Sequence, residues 1–172
     1  MTTSIDHALG IESAAAWLSA VARAHDLSTP VPNLGRWKIK DVVAHLGGVH
    51  EWANRILTTR SMDGPGFRKS KLTGDELCDW FDGGAATLVE TIRGIGADEE
   101  CPNFNPGSPS AAGWWFRRQL HETVVHRWDV EAAADDTTPI EPAVAADGVD
   151  EFLDVFVRTR GKQTLSLSLI HI

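Results

Sequence analysis

Cysteine is scarce in this 172-residue chain: there are two, Cys78 and Cys101. They form no C-x-x-C pair and no closely spaced set, which excludes a disulfide framework. A reducing cytoplasm is the location this implies. Long hydrophobic runs are also missing, so no segment is expected to span a bilayer. The first residues hold no basic stretch followed by an apolar run, so no signal peptide is expected. Positive charge is in deficit, with 16 Lys and Arg against 24 Asp and Glu, a net charge of −8. That balance argues against nucleic acid or an anionic membrane as partner and suits a protein acting on small molecules. Strand signals are nearly absent. No Asn-Gly or Asp-Gly turn lies between alternating runs, and Asp147-Gly148 falls inside a helical pattern. No Walker or dinucleotide glycine pattern occurs, and there is no internal repeat.

What is present is helical periodicity. Apolar residues make up 42% and charged residues 23% of the chain, the composition of a globular domain. The length suits one domain, long enough to bury about 70% of its unfolded surface. Five helices are predicted. The first runs from Ser4 to His25, with Ile11, Ala14, Ala15, Leu18, Val21 and Ala22 as its buried stripe. The second runs from Ile39 to Arg60, with Val42, Leu46, Val49, Ala53 and Ile56 on one side. The third starts at Thr73, where Thr73 and Glu76 make a capping-box pattern, and runs to Arg93. The fourth spans Ala111 to Ala134. The fifth spans Pro142 to Arg160, with Pro142 in its first turn. The fold class expected is all-α, an antiparallel four-helix bundle with an additional C-terminal helix. The connection from Gly94 to Ser110 is expected to cross one end of it.

Residues 1–160 form the expected domain, and 161–172 a non-native or disordered tail. Leu167–Ile172, "LSLIHI", looks like a sequencing adapter translated in frame. On that reading the native chain continues past Ser166, and the tail, His171 included, carries no function.

The stretch "RRQLHETVVHRWDVEAA", Arg117 to Ala133, concentrates titratable residues on one helix. Glu122 and His126 stand four apart, on one helical face, with Gln119 and Asp129 extending the stripe. Such a pair can give two ligands to one ion without bending the backbone. On the second helix His45 lies in the row Val42, His45, Val49, Trp52, which faces inward. A third ligand from a neighbouring helix is common in bundle metal sites. Two histidines, a glutamate and an open position suit Zn²⁺ and other divalent ions. The competing reading is a favourable side-chain pair and a hydrogen-bonded core histidine.

"WKIKDVVAHLGGVHEWA", Trp37 to Ala53, and "RRQLHETVVHRWDVEAA" resemble the two signature stretches of the mycothiol-dependent maleylpyruvate isomerase family. That family's N-terminal domain belongs to the DinB/YfiT-like four-helix bundles. "IEPAVAADGVDEFLDVF", Ile140 to Phe156, is similar to the segment that follows. The resemblance implies His45, Glu122 and His126 as metal ligands, a divalent metal such as Zn²⁺, and mycothiol as thiol cosubstrate. In the reaction it implies, a thiolate adds to a cis double bond, the single bond rotates, and thiol loss gives the trans product. The approach to the first stretch, "VPNLGRW", departs from the family's proline-rich pattern in a loop and in no expected ligand. Complete enzymes of the family carry a C-terminal domain that this chain has little or none of. The function expected is a metal-binding, thiol-dependent isomerase or transferase domain acting on an electrophile, with a non-catalytic metal-binding or regulatory bundle as the alternative. A metal-free helical interaction domain is a third reading.

The remaining residues divide into supporting and bland roles. Asp129 and Arg118 are candidates for holding ligands in place, against the reading of both as solvated charges. Arg117 and Arg118 could clamp a carboxylate or, as charged helix residues commonly do, face water. His121 and His50 leave the ligand face and are expected at the surface or behind the ligands. Gly47-Gly48 leaves room either for a ligand or for close helix packing. Cys78 reads as a half-buried core thiol, and Trp128 as packing.

Overall fold

The computed structural model describes residues 5–105 and 107–157. The expected adapter-like tail and the last residues of the fifth helix lie outside them. Among the described residues five α-helices form: α1 (His7–Ala24), α2 (Ile39–Thr59), α3 (Gly74–Gly94), α4 (Ala112–Ala133) and α5 (Pro142–Phe152). A π-helical turn, Leu153–Val157, continues α5. Among the described residues, the pairing of extended backbone is limited to two isolated bridges, Pro30 with Lys38 and Glu100 with Ala111.

The helix ends follow local chemistry. Asp6 caps α1, its carboxylate accepting from the Leu9 N–H at 3.0 Å, so the helix begins at His7. At α2 the Asp41 carboxylate reaches back to the Lys38 N–H at 2.9 Å. Thr73 makes no side-chain cap, so the capping box expected with Glu76 does not form; Gly74 enters the helix at φ 59° instead. Glu141 caps α5 through the Val144 N–H at 2.9 Å, and Pro142 sits in the first turn.

Four helices form the bundle, with α5 added at the side. α1 packs on α3 and α4, α2 packs on the same two, and α1 and α2 face each other across the diagonal. Cross-links fix the directions. Arg23 bonds Asp79 and Asp82 while Arg93 bonds Glu12, so α1 and α3 are antiparallel. His45 meets Glu122 while Trp52 meets Trp115, so α2 and α4 are antiparallel. Trp80 bonds Glu51 and Thr91 bonds Asn54, so α2 and α3 run the same way. Parallel neighbours require the chain to return along the bundle. Residues 60–73 do so as an extended segment, long enough at roughly 3.3 Å per residue to retrace a helix rising 1.5 Å per residue.

The core has two clusters, one around Trp115, Leu120, Ile56 and Leu88, the other around Leu18, Val42, Leu46 and Phe81. Each such fully buried side chain contributes about 1.5–3 kcal/mol. The connection after α3 crosses one end of the bundle, as expected from its length. Pro102 accepts the Trp115 indole N–H at 2.8 Å, and Cys101 lies fully buried beside the Ile56 carbonyl.

Candidate metal centre

α2 and α4 face each other about two turns from the end where residues 25–38 cross, and there three side chains meet. His45 Nε2 lies 3.2 Å from Glu122 Oε1, and His126 Nε2 lies 3.4 Å from the same oxygen. All three donor atoms fall within 4.8 Å of one another. Helical spacing brings Glu122 and His126 together, and antiparallel packing brings His45 opposite them. Four-coordinate Zn²⁺ with ligand bonds of about 2.0–2.2 Å holds its donors about 3.3–3.5 Å apart. The two shorter separations match that spacing, and the two-nitrogen, one-oxygen set suits a divalent ion. The chain's residues therefore fit such a group.

The surroundings orient these donors. His126 Nδ1 lies 2.8 Å from Asp129 Oδ2, which turns Nε2 toward Glu122. Asp129 is therefore no solvated aspartate; its side chain is 13% exposed. Arg118 is buried too, which corrects its reading as a charge facing water. Its Nη2 donates to Glu122 Oε2 at 2.6 Å, and its Nη1 to Glu151 Oε1 at 2.5 Å. Glu122 thus gives one oxygen to Arg118 and the other to the two imidazoles. Burial alone would raise the Glu122 pKa, but hydrogen bonds to His126 and His45 and the Arg118 charge hold it well below the carboxylate range. Burial alone would lower the pKa of His126; Asp129 and Glu122 outweigh it and raise the group to about 9.

His45 Nδ1 is buried with no hydrogen-bond partner. Rings hold His45 instead. Trp37 meets it edge-on at 5.1 Å and stacks on His126 at 6.3 Å. Phe67, from the returning segment, meets it at 5.0 Å. Lys69 Nζ lies 3.4 Å above the Trp37 ring. These three residues went unread in the sequence, because they sit on connections with no periodicity. Trp37 falls within the first quoted signature stretch, the one signal that could have flagged it. On the other side a 390 Å³ cavity opens between α4 and α5. Glu122, His126 and Arg118 line it together with Val144, Val149 and Phe152.

Several expectations change. Of the two places expected for His50 and His121, the surface is excluded, since both are buried. His50 is fully buried, with Nε2 2.9 Å from Thr123 Oγ1 and its ring stacked on Phe81. His121 Nε2 lies 2.7 Å from Asp147 Oδ2, which also accepts from Arg117 Nε at 2.9 Å. Arg117, half-buried, thereby ties α4 to α5. Gly47-Gly48 serves packing: a Cβ at Gly47 would stand 2.3 Å from the Trp80 ring, and one at Gly48 2.1 Å from the Arg68 carbonyl oxygen. No space for a ligand remains there. Cys78 is fully buried, and burial pushes its thiol pKa up despite Arg23 nearby. Trp128 is 41% exposed and contributes little packing. No described helix is long and apolar enough to cross a membrane.

A family profile described as mycothiol maleylpyruvate isomerase N-terminal domain matches residues 8–131 of the chain. No curated protein and no solved structure matches it.

Proposed function

From the chain's place in the mycothiol maleylpyruvate isomerase N-terminal domain family, to which it belongs, we propose that it holds a divalent metal ion, Zn²⁺ or one of similar preference, through His45, Glu122 and His126. We propose further that it uses the small thiol mycothiol as cosubstrate in an isomerase or transferase reaction on an electrophile. The observation that carries the reading is the approach of two imidazole nitrogens to one carboxylate oxygen at tetrahedral-ligand spacing. A divalent ion at such a set lowers the pKa of a thiol and favours the nucleophilic thiolate.

The chain's own residues supply orientation and exclusion of water. Asp129 keeps the His126 Nδ1 proton in place, leaving Nε2 free to act as a ligand. Arg118 takes the second Glu122 oxygen, so the carboxylate presents one oxygen and cannot swing. Trp37 and Phe67 cover His45 from the connection side. The cavity between α4 and α5 is the open approach, and its apolar walls receive the carbon skeleton of a thiol or electrophile.

Elemental analysis of the purified chain tests the first part, beside His45→Ala and Glu122→Ala. About one divalent ion per wild-type chain, lost in both variants, is the expected result. A wild type that neither carries metal nor takes up Zn²⁺ would refute it. The second part is tested on Co²⁺-loaded protein titrated with mycothiol. A new thiolate-to-metal charge-transfer band is expected. A spectrum indifferent to mycothiol, with no metal-dependent thiol turnover, would favour the non-catalytic metal-binding reading.

A further inference from the structure

Glu151 stands outside the part of the chain that the family profile matches, on the helix least embedded in the bundle. It is 3% exposed, a depth at which a carboxylate needs a partner. Its partner is Arg118, whose Nη1 donates to both Glu151 oxygens. The same guanidinium donates through Nη2 to Glu122 Oε2. One buried cation therefore spans a carboxylate from α5 and the carboxylate that faces His45 and His126.

We infer that Glu151 is a positioning residue of the metal centre, acting through Arg118 on Glu122, and that α5 is thereby part of the centre. This rests on the reading of His45, Glu122 and His126 as ligands. Two physical effects carry it. First, Glu151 fixes the guanidinium plane by gripping one of its nitrogens. The other nitrogen then holds Glu122 Oε2 and leaves Oε1 toward the imidazoles. Second, Glu151 offsets the Arg118 charge. A lone buried guanidinium beside Glu122 would neutralise it and repel an incoming cation. With Glu151 present, the Arg118 charge is shared between two carboxylates, and Glu122 keeps more of its own charge for an incoming cation. α5 is held close enough for this by Arg117 and His121, which both bond Asp147 one turn before Glu151.

The test is Zn²⁺ affinity, by competition with a chromophoric chelator, in wild type, Glu151→Gln, Glu151→Asp, Arg118→Gln and the Arg118→Gln/Glu151→Gln double variant. Glu151→Gln keeps shape and removes charge, and its Kd is expected to rise tenfold or more, in the range of lost ligand-orienting partners. Glu151→Asp keeps the charge and is expected within threefold of wild type. In the Arg118→Gln background Glu151→Gln is expected to change Kd less than twofold, because the path through Arg118 is gone. The Co²⁺ visible spectrum, which reports coordination and not stability, is expected to shift in Glu151→Gln. A Glu151→Gln affinity equal to wild type would overturn the inference. So would equal losses with and without Arg118, or a Glu151→Asp loss as large as that of Glu151→Gln. A wild type that binds no Zn²⁺ refutes the ligand reading itself and takes this inference with it; wild-type binding with indifferent Glu151 variants refutes only the inference.

Discussion

Removal of the Asp129 carboxylate isolates the contribution of orientation to metal affinity. Asp129 Oδ2 lies 2.8 Å from His126 Nδ1, and both side chains are largely buried. A hydrogen bond involving a charged group contributes about 1.5–3 kcal/mol, and each 1.4 kcal/mol is about tenfold in Kd. Asp129→Ala frees the His126 ring to rotate and removes a negative charge from beside the bound cation. The expected outcome is Zn²⁺ binding weakened about 10- to 100-fold. Asp129→Asn keeps an acceptor for the Nδ1 proton but not the charge, and its loss is expected to be smaller, below about tenfold. Competition titration with a chromophoric chelator at pH 7.5 reads both. Circular dichroism at the same temperature verifies that each variant is folded. Wild-type affinity in Asp129→Ala would refute the argument, since the His126 ring would then need no partner to present Nε2. Equal losses in the two variants would show that charge, and not ring orientation, governs the effect.

Stability follows the same structure. His50 is fully buried and its pKa is lowered to about 4, chiefly by burial, with the neighbouring histidines adding to it and Glu122 opposing. The folded state therefore prefers neutral His50. Its contribution is fully present above the unfolded pKa near 6.5 and is lost as pH falls toward 4, up to about 3 kcal/mol. Urea unfolding of chelator-treated protein between pH 7 and 4 is expected to show a steeper decline in wild type than in His50→Asn, and parallel curves would refute this. Gly48→Ala places a Cβ 2.1 Å from the Arg68 carbonyl oxygen. It is expected to cost about 1–3 kcal/mol and to displace Phe67 from His45, read as a lower urea midpoint together with weaker Zn²⁺ binding. Zn²⁺ at a hundredfold excess over its Kd is expected to add about 2.7 kcal/mol. That raises Tm by roughly 5–11 °C, reversed by chelator; a Tm indifferent to both would contradict a folded-state site.

Periodicity and spacing alone determined that the chain is helical, where α2 and α4 run, and that Glu122 and His126 share a face. These are properties of a 3.6-residue repeat, and no partner is needed to state them. The inward row of His45 was legible for the same reason. Only the tertiary structure decided that α2 opposes α4 in a register that brings His45 Nε2 to Glu122, because helix direction and register depend on how whole faces pack. It also decided the burial of His50, His121 and Arg118 and the tie of Arg117 to α5. A charged or polar residue looks solvated in sequence, and its partners, Thr123, Asp147, Glu151 and Glu122, become visible only when distant helices meet. Gly47 and Gly48 could have made room for a ligand or for a neighbour, and Trp80 with the Arg68 backbone resolved that choice by filling the space. Glu151 lies in the stretch Ile140 to Phe156, but no spacing there ties it to the centre. Its place beside the centre comes from the turn after α4 laying α5 along that helix, a long-range outcome that no local pattern encodes.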